Sequence, residues 1–141
     1  MSAWQGYVDT LMASGICKDA AVVGFCDNKY VWAAHPGGEF AKITPAEIDI
    51  LASSKDRVTF FTAGLTLGNE KCSVLRDRFN VDNEWSVDIR TKCAGGGPTY
   101  NVAVSRASTV MIVVKGNEGI YGGQLNPLAY DMAQHLRKAG Y

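Results

Sequence analysis

The sequence carries no excess of either charge. Its 14 basic side chains balance 14 acidic ones over 141 residues, and its isoelectric point is about 6.7. A nonspecific binder of nucleic acid or of an anionic membrane needs a net basic field. Nucleic acid is therefore not an expected partner, and any anionic partner has to be met by a local patch. No apolar run approaches the roughly 20 residues that span a bilayer. The opening Met1-Ser-Ala-Trp-Gln-Gly-Tyr7 has neither the basic nor the apolar region of a signal peptide, and no Asn-x-Ser/Thr acceptor occurs. The 4 cysteines, Cys17, Cys26, Cys72 and Cys93, are scattered and form no C-x-x-C pair. That excludes the usual zinc spacing and the dense disulfide framework of a small secreted domain. The expectation is a cytoplasmic protein with reduced thiols, no metal and no cofactor.

Catalytic groups are equally scarce. The 2 histidines are His35, in a turn, and His135, in the last predicted helix. Gly95-Gly96-Gly97 and Gly116-Asn-Glu-Gly119 match neither a P-loop nor a dinucleotide fingerprint and read as turns. The chain is not expected to be an enzyme and has no candidate catalytic residue. An enzyme or small-molecule sensor on a similar sheet stays open as an alternative; it would need a closed pocket with converging polar groups.

What is present is enough apolar residue for a core: 47% hydrophobic against 20% charged, in a chain of single-domain length spanning residues 1–141. Trp4, Tyr7, Val8, Leu11 and Met12 recur at helical spacing, Ser2 and Gln5 have capping-box spacing, and Gly15 closes the helix. Residues 21–25 and 30–34 read as a hairpin turned at Asp27-Asn28. Thr44-Pro-Ala-Glu47 starts a second helix, with Thr44 as cap, Pro45 at the first position and Glu47 closing the capping box. Residues 58–61, 65–67, 72–75, 85–90, 100–105 and 110–114 read as strands joined by short turns, hence an antiparallel sheet. Asn126-Pro127 reads as the start of the last helix, with Leu128, Ala129, Met132, Ala133 and Leu136 as one stripe, and with Arg137 and Lys138 suiting its C-terminal dipole. The predicted class is α+β, a sheet of about six or seven strands with a helix at each end of the chain.

Two constellations invite a functional reading. Trp4, Tyr7, Tyr30, Trp32 and Tyr141 come from the chain ends and one early strand. Plain core is the simpler explanation, because the arc of Trp4, Tyr7, Val8, Leu11 and Met12 is narrow enough to bury whole. If the terminal helices lie over the side that Tyr30 and Trp32 share, however, several indole and phenol groups converge there. Such a cleft suits a polyproline II ligand, which offers carbonyl acceptors but no proline N–H. The second constellation is polar. Asp88, Arg90 and Lys92 share one strand face, Thr99 and Asn101 another, Lys71 and Ser73 a third. They read either as the solvated side of a one-sided sheet or as a flat protein-binding surface.

Trp4-Gln-Gly-Tyr-Val-Asp-Thr-Leu-Met12, Tyr30-Val-Trp-Ala-Ala34, Ile43-Thr-Pro-Ala-Glu-Ile48, Gly64-Leu-Thr-Leu-Gly68, Lys71-Cys-Ser-Val-Leu-Arg-Asp77, Asp88-Ile-Arg-Thr-Lys92, Pro98-Thr-Tyr-Asn-Val102 and Met132-Ala-Gln-His-Leu-Arg137 follow one another in a specific order. In that order the chain resembles the vertebrate-type profilins along its whole length. The resemblance implies a central antiparallel sheet, with the N- and C-terminal helices packed together on one face and short helices on the other. It implies an actin-monomer-binding protein that also binds proline-rich peptides and regulates actin polymerisation and nucleotide exchange on actin. The polyproline site carries over to Trp4, Tyr7, Trp32, His135, Leu136 and Tyr141, with Tyr30 at its edge. The actin face carries over to Lys71, Ser73, Val74, Arg76, Arg90 and Lys92, and to Thr99, Asn101, Gly123, Asn126 and Tyr130, with Tyr121 at the position of a family histidine. The family also binds phosphoinositide lipids, an interaction expected to be weak in a chain of zero net charge.

Departures cluster before and within the last helix. Family members of this type commonly read Val-His-Gly-Gly and then Asn-Lys-Lys; here the stretch is Ile120-Tyr-Gly-Gly-Gln-Leu-Asn-Pro-Leu128. A histidine becomes Tyr121, two lysines become Pro127 and Leu128, and Asp131 stands where Glu is common. The polyproline site is expected intact and actin affinity reduced, with Pro127 shortening the helix's first turn. At the limit, the chain would be an adaptor for proline-rich ligands with weak or lost actin binding.

Overall fold

The computed structural model describes residues 3–53, 55–92 and 95–141, so Ser2 and Cys93 lie outside the described residues. Helix α1 covers Ala3–Ala13 and is followed by strands β1, Cys17–Gly24, and β2, Val31–Ala34. After a 3-10 turn at Glu39–Lys42 come α2, Pro45–Ala52, a second 3-10 turn at Arg57–Thr59, and the short α3, Phe60–Ala63. Five strands then run in succession: β3 Leu65–Leu67, β4 Glu70–Arg78, β5 Ser86–Thr91, β6 Asn101–Arg106 and β7 Val110–Gly116. Helix α4, Gly122–Lys138, closes the chain.

The strands form one sheet in the order β2-β1-β7-β6-β5-β4-β3, and every neighbouring pair is antiparallel. The chain order is broken only where β1 pairs with β7, which sets the early hairpin beside the last strand. β7 is buried at every position, because cover lies on both faces of the sheet centre. On one side, Val23, Val87, Ile89, Val104 and Val113 pack with Phe40, Ile48, Leu51, Phe60 and Phe79 beneath α2, α3 and the loops. On the other, Ala20, Val22, Ala103, Ile112 and Val114 pack under Val8 and Leu11 of α1 and Leu125, Ala129, Ala133 and Leu136 of α4. A two-sided core explains why residues 110–114 read as an unbroken apolar run rather than an alternation. Towards the other edge the helical cover thins, and α4 meets β5 through Asn126, which donates to Ser86 and Asp88. There β5 alternates, with Val87 and Ile89 buried and Arg90 exposed.

The capping box of α2 forms as its residue types dictate: Thr44 Oγ1 accepts from the Glu47 amide at 3.2 Å, and Glu47 Oε1 accepts from the Thr44 amide at 3.0 Å. Glu47 does more than cap. Oε1 also accepts from Gly68 N–H and Oε2 from Asn69 N–H, so one buried carboxylate fastens α2 to the β3–β4 turn. Burial alone would push this carboxyl's pKa up; the N–H groups of Thr44, Asn69 and Gly68 and the Thr66 side chain hold it below its ordinary value. Arg57 makes a paired contact with Asp77 at 2.7 and 2.9 Å and donates to the carbonyls of Leu51 and Ser53. It thereby ties the α2–α3 connection to β4.

Three expectations are corrected. Residues 58–61 are helical, not a strand. Their apolar side chains do not share one buried face: Val58 and Phe61 are exposed while Phe60 is buried, a pattern that follows a helical turn. The last helix begins at Gly122, four residues before Asn126. Tyr121 has the extended backbone of a cap residue, and its N–H donates to Gln124 Oε1 at 3.1 Å. Asn126 is therefore not a cap, and Pro127 lies inside the helix instead of shortening its first turn.

Candidate functional site

The aromatic residues from the two chain ends and β2 do converge. Trp4 is the hub, with ring centroids 4.9 Å from Trp32, 4.8 Å from Tyr141 and 5.6 Å from Tyr7. Tyr30 lies 6.3 Å from Trp32, and His135 lies 5.9 Å from Tyr7. The rings meet at tilted or edge-on angles, a favourable arrangement for their quadrupoles. They pack against the helix-side core with their outer surfaces open: Trp4, Tyr7 and Trp32 are half-buried, and Tyr30 and Tyr141 are exposed. The result is a continuous aromatic platform where α1, β2 and the end of α4 meet.

Backbone contacts hold the platform in place. Gln5 Nε2 donates to the Ala34 carbonyl at 3.3 Å and couples α1 to β2. The Tyr141 main-chain oxygen accepts from the Thr109 amide, and from the Thr109 hydroxyl at 2.7 Å, which pins the end of the chain to the β6–β7 turn. Trp32 Nε1 donates to the Asn28 carbonyl at 3.2 Å. A Cβ at Gly24 would run into both Asn28 and Trp32, so only glycine permits this packing. The Trp32 indole, expected among the outward donors, instead bonds to its own loop. Leu136 is a second correction. It is fully buried and supports the platform from below instead of presenting a surface.

The polar residues gather at the far end of the sheet. Ser73, Arg90 and Asn101 stand in one cross-strand row, and Arg76 pairs with Asp88 in the next. Arg90 Nε donates to Thr99 Oγ1 at 3.0 Å, and Arg76 reaches Glu84 at 3.0 Å. Lys71 and Lys92 are exposed, with their strands joined by the bond from Lys92 N–H to the Lys71 carbonyl. Asn101 Nδ2 donates to the Ile120 carbonyl, and Asn126 Nδ2 to Asp88 Oδ1 at 2.8 Å. Tyr130 Oη donates to the Asn83 carbonyl. Gly123 is exposed, and so is Tyr121, at 74%. Ser73, Arg76, Asp88, Arg90, Thr99 and Asn101 thus run as a polar surface from β4 onto the first turns of α4, whereas Lys71 and Lys92 line a hollow with Ile50, Ala63, Gly64 and Leu65 beside α2 and α3. Val74 does not join the polar surface: it is buried among Leu65, Leu67, Cys72 and Ile89 on the opposite face, as the strand alternation requires.

Sequence reasoning missed the role of Arg137. It was expected to serve the helix dipole; instead its guanidinium stacks 3.7 Å from the Trp85 ring centroid and donates to the Arg106 carbonyl. Burial, with Arg106 beside it, lowers its pKa. Among the described residues the thiols of Cys17 and Cys72 are buried; burial and the Glu70 carboxylate push Cys72 up to about 12. Among the described residues no group of three or more His, Cys, Asp or Glu side chains could hold a metal ion, and no helix is long and apolar enough to cross a membrane.

The profilin family model matches residues 2–141. This chain belongs to the profilin family. Rat profilin-2 is 59% identical to it over 141 residues, covering all of both chains, and human profilin-1 is 50% identical over the same span. Among solved structures, mouse profilin IIa in complex with a double repeat from the FH1 domain of mDia1 superposes with a TM-score of 0.96 at 58% identity, covering 99% of this chain and 100% of that one. Acanthamoeba castellanii profilin IB superposes at 0.73 with 27% identity, covering 99% of this chain and 100% of that one. The seven-stranded antiparallel sheet and the paired terminal helices are thus the profilin fold. In this profilin, the platform and the polar surface occupy opposite ends of that sheet, and α4 touches both.

Proposed function

We propose that this profilin binds actin monomers through the polar surface on β4, β5, β6 and the start of α4, and binds proline-rich peptides on the aromatic platform. It thereby regulates actin polymerisation and nucleotide exchange on actin, working in the cytoplasm with the actin cytoskeleton. The protein is a binding module: the chemistry of nucleotide exchange belongs to actin. The observation that carries the reading is the platform, where Trp4, Tyr7, Tyr30, Trp32 and Tyr141 meet at tilted or edge-on angles with their outer faces open. A core would have closed those faces. Mouse profilin IIa, 58% identical, is known with an FH1 double repeat bound, which supports the same ligand class here. Phosphoinositide headgroups would meet only local basic residues such as Arg76 and Arg90, and bind weakly.

Affinity for actin is set below the family's usual level by Tyr121, Pro127 and Leu128. They stand where the family pattern carries a histidine and two lysines, Tyr121 and Pro127 flanking the start of α4 and Leu128 turned towards α1, so cationic partners for an acidic cleft are missing. Restoring the cations in Tyr121→His/Pro127→Lys/Leu128→Lys is expected to tighten monomeric actin binding about tenfold, a change of ~1.4 kcal/mol. Titration of labelled ATP-actin monomers measures this, and an unchanged affinity sinks the assignment of weakness to these three positions.

A further inference from the structure

Tyr121 stands apart from the other tyrosines. Of the 6 in the chain, Tyr7, Tyr30 and Tyr141 lie in the ring contacts of the platform. Tyr100 lies beneath the Lys18 ammonium, and the Tyr130 hydroxyl donates to the Asn83 carbonyl. Tyr121 is the most exposed of them, at 74%. The bonds that place it are made by its backbone: its N–H donates to Gln124 Oε1, and its carbonyl accepts from the amides of Gln124 and Leu125. A phenol held out in water this way contributes little to the core.

The segment around it is open to an enzyme. Gly119, Gly122 and Gly123 flank it, and a Cβ at any of them would meet nothing within 4 Å. Asn117 and Glu118 are exposed. Ile120 anchors the loop: it packs on the helix-side core, and its carbonyl accepts from Asn101 Nδ2 at 2.8 Å. Downstream, the first turn of α4 is weak. It starts on two glycines, which disfavour helix, and Pro127 has no N–H for the Gly123 carbonyl. The Tyr121 backbone is already extended, with φ −84° and ψ 155°. Local opening of that turn lets residues 120–124 lie as a short strand in an enzyme's groove.

We infer that Tyr121 is a phosphorylation site for a protein tyrosine kinase, and that the modification weakens actin binding. The second half rests on the proposal that the neighbouring polar surface binds actin. Tyr121 Oη attacks the γ-phosphorus of MgATP and the bond from that phosphorus to the β–γ bridging oxygen breaks. ADP leaves, and the phenolic proton passes to the kinase's carboxylate base. Glu118, three residues earlier, offers a carboxylate to a basic substrate groove. The product carries a charge of about −2 where the family pattern has a histidine. The Asn101–Ile120 bond sets it beside the Arg90–Asn101 pair of the polar surface, where it repels an acidic cleft. At the start of α4 a negative charge suits the helix dipole, so the fold is kept.

The test incubates the purified full-length protein with MgATP and the catalytic domain of an acidophilic tyrosine kinase, and locates phosphate by mass spectrometry. About one phosphate per chain is expected on Tyr121, and none on this loop in Tyr121→Phe. In titrations of ATP-actin monomers the modified protein is expected to bind about tenfold more weakly than the unmodified, with decaproline affinity kept within about twofold. Kinase treatment of Tyr121→Phe should leave that variant's own actin affinity where it was. No incorporation, or incorporation only on the platform tyrosines, overturns the site. Unchanged actin affinity with Tyr121 fully phosphorylated overturns the regulation. If the unmodified protein binds no actin, the function proposed for the polar surface falls and the regulation with it, whereas phosphate on Tyr121 still upholds the site.

Discussion

At the residue scale, several side chains sit in environments that differ from what their type suggests. Trp32 is the clearest. It sits against Gly24 and bonds to the Asn28 carbonyl, so its ring is held rigid and face-open. Replacing it, Trp32→Ala, should weaken decaproline binding about thirtyfold, the ~2 kcal/mol loss of an aromatic anchor. Tryptophan-quenching titration gives the affinity, and a far-UV spectrum checks that the fold is kept. Glu47 gives a pH test. Its folded-state pKa lies below the unfolded value because four donors favour the charged form. The stability it contributes is therefore present above the unfolded value, about 4.3, and is lost as pH falls through the lower folded-state value. Glu47→Gln should cost about 2 kcal/mol at pH 7. The gap between variant and parent should close under acid, as followed by urea unfolding at a series of pH values. The capping role of Glu47 was legible, because Thr-Pro-x-Glu is a local code. Its bonds to Gly68 and Asn69, some 21 residues away, were not, since nothing in either segment's pattern names the other.

At the element scale, strands and helices with strong local signals were read correctly: α2, β3, β5, β6 and β7. Failures came where tertiary context outweighed propensity. Gly122-Gly123 look like loop because glycine disfavours helix. The first turn forms nonetheless, because Leu125 inserts beneath Ile120 and Gly116 and Gln124 receives the Tyr121 amide. Residues 58–61 looked like a strand from three apolar side chains, of which only Phe60 is buried. Inside α4, Pro127 withholds the N–H that would meet the Gly123 carbonyl one turn back. Pro127→Ala should raise stability by on the order of 1 kcal/mol, measured by chemical denaturation. A loss of stability would mean that the proline's rigidity matters more to the helix start than its missing donor.

At the scale of the whole molecule, the sheet order places the two proposed surfaces apart. The platform sits by β2 at one end and the polar surface by β4 and β5 near the other, with β1, β7 and β6 between them. Neither ligand should obstruct the other, so a ternary complex is expected, and variants on one surface should leave affinity at the other unchanged. The site residues were legible in part. The aromatic cluster could be named from residue type, but whether it was core or surface depended on how far α1 and α4 cover the sheet, which no local pattern records.

The most direct test of the central claim is a titration of the purified protein with decaproline, followed by tryptophan fluorescence, in the absence and presence of saturating ATP-actin monomers. Trp4 and Trp32 lie on the platform, while Trp85 is stacked under Arg137. The account predicts a saturable change in emission with the same midpoint whether or not actin is bound. Absence of any response to the peptide, or a midpoint that shifts steeply with actin, would contradict it.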